Sequence, residues 1–524
     1  MNTFLTKFPS EVVGVLSGFD RVIMRGTIRR LAYLGGMSAY LATNRVQPQD
    51  FKQHAMEVTA RLREAVEGPV LREGRPVLFL NSGRTDKEKL VGEIVARDGL
   101  GEGTICLLSC VEPCRTYQAH GDRQKRTVDL RPHWGKCTAF YKYSFHPQLG
   151  YIHARIQSWF PFPVQVYFNG REWLTRQLEA AGLGYRRADN TLLWVEDLGR
   201  AQELLDDQLQ TCWPKLLEGI LCDLNPLQAQ GWLGQFYAPY YWTTFGVEWA
   251  TDMMFRTPEA LAQWYPALAL HSMRTLSCTD VLRFYGRGPR FTGEVRSKLV
   301  VQKEGLRTKH RAAGNFLKAY DKAYAVQSDD WSVLRIETTT NHPEVYKAFR
   351  TTENHPEGPK RWLPLRKGVA DLHRLTQVSQ AANDRYADAL AAADCSESVA
   401  TLASRLTQPV THRSRRVRGL RPWPGGDLPL LRAVNEGDHL LNGFRNRDLR
   451  ARLYAKPTDD HAEQRRRSAR VGRLLRLLRA HGLIKKIPKT HRYQMTEFGR
   501  RVVTALLTAL DATTAELARL AAVA

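Results

Sequence analysis

At 524 residues the chain is longer than one ordinary hydrophobic core supports, and its length argues for three or four domains. A hydrophobic fraction of 43% with 10% aromatics excludes a disordered chain, and no apolar run of about 18 residues is present to span a bilayer. Lys and Arg exceed Asp and Glu by 24, more than solubility requires, which points to a polyanionic partner; from His412 onward 25 basic residues face 10 acidic ones, a net of +15.

The opening stretch MNTFLTKFPSEVVGVLSGFDRV has neither the long apolar segment nor the cleavage site of a signal peptide, so a cytoplasmic location without a membrane partner is expected. Residues 1–145 read as an α/β domain. Apolar runs at Pro76 to Leu80 and Thr104 to Val111 flank a helical stretch from Asp86 to Ala96, the order of a parallel βαβ unit. The intervening Asn81-Ser82-Gly83 lacks the Gly-Lys-Ser/Thr of a phosphate loop. Cys106, Cys110, Cys114 and Cys137 lie near His120 and His133, but without the two-residue spacing of a zinc knuckle. Buried thiols are the expected reading, with a metal left open.

Residues 146–290 read as mixed β/α and aromatic-rich. Tyr151 to Ser158 and Val164 to Phe168 alternate as strands, Asn169 caps a helix from Arg171 to Ala181 ended by Gly182, and a longer helix covers Gly199 to Leu221. Eight aromatics follow: Trp232, Phe236, Tyr237, Tyr240, Tyr241, Trp242, Phe245 and Trp249. They are expected as core, with a base-stacking platform as the competing reading. Residues 291–410 read as a basic antiparallel sheet followed by helices from about Lys367 to Leu406, and 411–428 as a basic linker.

The segment 429–524 has the order of a winged helix: a helix Arg445 to Leu453 after the Asn442-Gly443 turn, a longer helix from Ala462 to His481, strands Leu483 to Lys486 and His491 to Met495, and a final helix from near Thr496. In the long helix Val471, Leu474, Leu475 and Leu478 recur at three and four, and Arg466, Arg470, Arg473 and Arg476 recur beside them. Such a helix packs by one face and offers cations from the other. The run RLLRLLRAHGLIKKIPKTHRYQMTEFGR resembles the recognition helix and wing of MarR-like winged-helix proteins. The resemblance, over about 430–524, implies that Arg466, Arg470 and Arg473 meet base edges or phosphates and that Lys489 and Arg492 sit on the wing.

For chemistry, Lys318, Tyr320, Asp321 and Lys322 precede Leu334-Arg335-Ile336-Glu337. A tyrosine that attacks a phosphodiester needs a cation for the phosphate and a carboxylate-held metal to polarise it. This wording resembles rolling-circle replication initiators, which implies a catalytic set of Tyr320, Asp321 and Glu337. Strand alternation puts Lys318, Tyr320 and Lys322 on one face and Asp321 on the other, while Arg335, Glu337 and Thr339 share a face, so Asp321 and Glu337 can share a metal only across a bulge. The alternative is an exposed face of cross-strand ion pairs, and a third reading is a face of Lys318, Lys322 and Arg335, with Lys309 as a further candidate, that binds phosphate without catalysis. A second acidic set comprises Asp20, Glu112, Glu248 and Asp252; Glu248 and Asp252 are four apart and on a helix can hold one Mg²⁺ or Mn²⁺ ion, with salt bridges as the competing fate.

The expected protein is therefore α+β and multidomain, with an N-terminal α/β segment, a central antiparallel β-sheet with helices, and a C-terminal winged helix-turn-helix. Its expected role is DNA processing for a mobile genetic element (nicking, joining or replication initiation), as a metal-dependent nuclease or strand transferase. An RNA-binding component of a ribonucleoprotein and a non-catalytic winged-helix transcription regulator are the alternatives.

Overall fold

The computed structural model describes residues 1–122, 124, 127–222, 233, 236, 239–286, 295–302, 305–322, 330–352, 355, 357–392, 399–412, 414–436, 439, 443–454, 456, 458–488 and 490–513. The chain forms two compact units interleaved in sequence: Val12–Leu261 with Asp321–Gln380, and Met1–Glu11 with Ala262–Tyr320 and Ala381–Ala524. In chain order the strands used below are β1 (Val12–Ile28), β2 (Val77–Leu80), β3 (Gly103–Asp122), β4 (Thr127–His146), β5 (Gly150–Gln157), β6 (Val164–Asn169), β7 (Tyr185–Ala188) and β8 (Thr191–Val195). They continue with β9 (Tyr240–Phe255), β10 (Val295–Gln302), β11 (Gly305–Ala312), β12 (Asn315–Lys322) and β13 (Ser332–Thr339).

The first unit is built on a sheet in the order β13-β9-β1-β6-β5-β4-β3-β2. Its neighbours run antiparallel except β2 and β3, which are parallel and joined through the helix Lys87–Asp98, the expected βαβ unit. Asp86 caps that helix by accepting from Lys89 N at 3.1 Å, and Gly99 ends it in the left-handed region. On one sheet face the helices Gly170–Ala180 and Leu198–Gln208 bring Leu174, Leu178, Leu204 and Leu205 onto Leu16, Met254 and Val333. Asn169 caps the first of these through its Oδ1, which accepts from the backbone of Arg171 and Glu172. The single helix expected over Gly199 to Leu221 is two, because Pro214 opens the helix Trp213–Leu221 and cannot continue the one before it.

Most of the described aromatic run is core. Phe236, Tyr240, Trp242 and Trp249 are buried; Tyr240 donates to the Phe162 carbonyl at 2.8 Å and Trp249 to Gln380 at 2.6 Å. Tyr241 lies under the Arg29 guanidinium and Phe245 is half exposed, while Trp232 and Tyr237 lie outside the described residues. Every residue of β13, and every residue of β9 from Val247 onward, is buried.

In the second unit β10, β11 and β12 form an antiparallel meander. His310 on β11 is enclosed with its ring nitrogens on Ser297 at 2.7 Å and Ser272 at 2.9 Å. Its C-terminal part has the helices Leu428–Val434, Asn446–Leu453 and His461–Ala480, then a hairpin of Ile484–Lys486 with Tyr493–Met495, then the helix Glu497–Asp511: a winged-helix-like order. Phe444 joins the hairpin by reciprocal backbone hydrogen bonds with Tyr493 at 2.9 and 2.8 Å. Residues 411–428 are not a free linker. Val410–His412 pairs with Arg415–Val417, Leu420 is buried in the C-terminal core, and Asp427 clamps Arg418 at 2.7 and 2.8 Å.

Candidate metal centre

Three carboxylates converge on the face of the first unit's sheet that also carries Leu16. Asp20 on β1, Glu248 on β9 and Glu337 on β13 each offer an oxygen within 4.8 Å of the others, and all three are buried. Register explains the meeting. Phe19 pairs with Trp249 and Val22 with Val247, so Asp20 and Arg21 together face Glu248. This bulge keeps Asp20 on the face of Leu16 and brings Arg21 onto it as well. On β13 Thr339 pairs with Glu248 and Glu337 with Ala250, which places Glu337 one pleat away on the same side.

The surroundings sort the acids into two classes. Asp252, wholly buried, is gripped by Arg335 at 2.5 and 2.8 Å and by Arg171 at 3.0 Å. Burial pushes its carboxyl up, but the two guanidiniums prevail and hold it below the ordinary range. Arg335 reaches Asp20 as well, at 3.1 Å, and donates to the Asn190 carbonyl at 2.8 Å. Asn169 and Asn190 each donate an amide to Asp20, at 2.9 and 2.7 Å, and Lys322 holds Asn190 from behind at 3.1 Å. These contacts fix Asp20. Glu248 instead meets Arg21 in a two-pronged pair at 2.6 and 2.7 Å, and the Arg21 side chain is 56% exposed, so this charge stands where solvent and solutes reach it. The Glu248 hydrogen bond pushes the Arg21 guanidinium up, which keeps it charged.

Asp20, Glu248 and Glu337 can in principle chelate a divalent ion such as Mg²⁺ or Mn²⁺. Octahedral ligands at about 2.1 Å lie roughly 3 Å apart when adjacent. The separations of the three carboxylates, within 4.8 Å, are of that order.

The residues singled out from sequence fall as follows. Glu248 and Asp252 share a face, but of a strand rather than a helix, and the two arginines divert Asp252 from a ligand role. Glu337 joins Glu248, with Asp20 as the third member. Arg335 and Lys318 are buried, so these residues do not form the exposed face expected; over β13, helices distant in sequence cover a strand that reads as half-exposed. Lys322 is spent on Asn190 and Asp189. Tyr320 belongs to the second unit, half-buried with Arg307 over its ring at 4.8 Å, and Asp321 follows it near the end of β12. Glu112 is engaged by Arg155 and Tyr141, away from the other acids.

Cys110 faces Glu112 at 3.3 Å and Cys106 sits in an apolar cluster; among the described residues the cysteines and histidines of that region do not converge as metal ligands. Arg466, Arg470, Arg473 and Arg476 are exposed along the helix His461–Ala480, whose Val471, Leu475 and Leu478 are buried. Arg492 is half-buried on the hairpin, and Lys489 lies outside the described residues. Arg21, Arg171 and Asn190 were not singled out from sequence as site residues, and Asn169 only as a helix cap; the signal for Arg21 was its contiguity with Asp20 in a strand, which does not reveal a bulge. Comparison with protein-family models, with curated proteins and with solved structures returned no match.

Proposed function

We propose that the chain is a nucleic-acid-processing enzyme that cuts or transfers phosphodiester bonds with a divalent cation, Mg²⁺ or Mn²⁺, held by Asp20, Glu248 and Glu337. The convergence of these three buried carboxylates from three adjacent strands carries the reading. Buried carboxylates are stable when paired or when they hold a metal; Arg335 reaches Asp20 at the edge of this set, and Glu248 lies beside the partly exposed Arg21 guanidinium. A cation held there would supply polarisation of a phosphoryl oxygen and activation of water, and Arg21 would add positive charge beside the phosphate.

The four exposed arginines of the long C-terminal helix fit the binding of a sugar-phosphate backbone, in line with the MarR-like wording of that segment. With the Tyr320 to Glu337 wording, this supports a nicking, joining or replication-initiating protein of a mobile genetic element acting on DNA. The test is incubation of the full chain with labelled single- and double-stranded DNA and RNA, with and without Mg²⁺ or Mn²⁺, beside Asp20→Asn, Glu337→Gln and Tyr320→Phe. The expected result is metal-dependent cleavage of DNA lost in the first two variants; a covalent protein–DNA adduct lost in the third identifies strand transfer. Salt-sensitive binding without cleavage of any substrate overturns the enzyme and leaves a regulator, and recovery of the protein with RNase-sensitive nucleic acid points to a ribonucleoprotein.

A further inference from the structure

On the same sheet face as the acidic cluster, one row further along, Arg25 of β1 pairs in register with Gln165 of β6, and Gln165 with Arg155 of β5. Arg21 and Arg25 share this face because β1 runs regularly against β6 from Arg21 to Gly26. Three adjacent strands thus present a guanidinium, an amide and a guanidinium side by side. Arg155 is neutralised: it donates to Glu112 at 2.7 and 3.1 Å and to the Tyr141 hydroxyl at 3.1 Å. Arg25 is different. Among the described residues no carboxylate or hydrogen-bond acceptor meets its half-buried guanidinium, its Nε is enclosed without a partner, and its nearest ring, Phe245, lies 6.0 Å away. Burial first, and Arg155 second, push this guanidinium below its ordinary range, so the folded chain holds a cation at an electrostatic cost that an anion relieves.

We infer that Arg25 and Gln165, with Arg155 held beside them by Glu112, bind a phosphate of the polynucleotide strand being processed, a second contact that lays the strand along β1 toward Asp20, Glu248 and Glu337. Four residues of extended chain separate Arg25 from Arg21, roughly 13 Å, so the phosphate held here is not the one at the acidic cluster but a neighbour on the same strand. The inference rests on the proposed role of that cluster. Arg25 is a positioning residue: it touches the strand, not the reacting atoms.

The test measures anisotropy of a 5′-fluorescein-labelled oligothymidylate against the full chain in EDTA over a series of NaCl concentrations, so that binding is read without cleavage. Arg25→Gln is expected to lower affinity several-fold and to reduce the slope of log K against log salt by about 0.7, the value of one phosphate contact on a single strand. Arg25→Lys restores the slope but not the full affinity, because the two-pronged contact is lost. The melting temperature of Arg25→Gln stays level or rises, since a desolvated charge beside Arg155 is removed. Unchanged slope and affinity, or a loss of binding that follows a fall in melting temperature, overturns the inference. Failure of wild-type cleavage in Mg²⁺ with the slope change intact removes the enzymatic role and leaves the phosphate site; cleavage with an unchanged slope does the reverse.

Discussion

Arg335 decides which acids remain available. Its guanidinium spends its donors on Asp252, Asp20 and the Asn190 carbonyl with no exposure at all, and Arg171 completes the neutralisation of Asp252. Removal of Arg335 takes the ion pair from Asp20 and leaves Asp252 with Arg171 alone, and the breaking of a buried pair costs about 3–5 kcal/mol. Arg335→Met is therefore expected to lower the urea midpoint strongly, and the double variant with Asp252→Leu to recover part of the loss; an unchanged midpoint in the single variant refutes the anchoring role. Acid acts on the same contact. The Asp252 carboxyl titrates lower in the folded chain than in the unfolded one, so its contribution to stability is present above the ordinary carboxylate range and is lost as pH falls through the folded value. Wild-type stability should thus decline below about pH 4, and Asp252→Asn, already destabilised, should decline less steeply.

At the scale of elements, the bulge on β1 depends on a close approach that only glycine permits. A side chain at Gly170, the first residue of the helix capped by Asn169, would place its Cβ 2.4 Å from the Phe19 carbonyl oxygen and 2.6 Å from the Phe19 Cβ. Gly170→Ala is expected to cost about 1–3 kcal/mol and to push β1 out of place beside Asp20, abolishing the rise in melting temperature that the proposed site predicts for the wild type in Mn²⁺. Gly92→Ala, mid-helix with open space around it, is the control and should be neutral or stabilising. A Gly170→Ala protein that retains the Mn²⁺ shift refutes the link between bulge and site. Much of this architecture was legible in the sequence: the βαβ unit, the Asn169 cap, the shared face of Arg335, Glu337 and Thr339, and the helix and hairpin order of the C-terminal part. The burial of that face was not, because alternation along β13 does not tell whether helices 130 to 160 residues earlier will cover it. Nor was the strand state of Glu248 and Asp252, since a spacing of four puts two residues on one side of either a helix or a strand.

For the whole molecule, the surplus of 24 cations is concentrated where the long C-terminal helix stands exposed, while several arginines of the first unit are consumed by buried carboxylates. Net charge therefore overstates how many cations each unit offers to a polyanion, and the two units should contribute differently to binding and to reaction. Arg470→Gln with Arg473→Gln removes two exposed charges that make no side-chain hydrogen bond or ion pair among the described residues. Surface changes of this kind alter stability by no more than about 0.5 kcal/mol. On duplex DNA each lost phosphate contact lowers the salt slope by about 0.9, so the pair should reduce it by roughly two and raise KM, while kcat at saturating DNA in Mn²⁺ stays near the wild-type value. Asp20→Asn should show the opposite split, with duplex binding in EDTA retained and kcat lost. If the double arginine variant kept its salt slope, the C-terminal helix would not be the binding element; if it lost kcat with KM unchanged, binding and reaction would not be divided in this way, because removal of contacts that serve binding alone leaves the chemical step intact once the substrate is saturating.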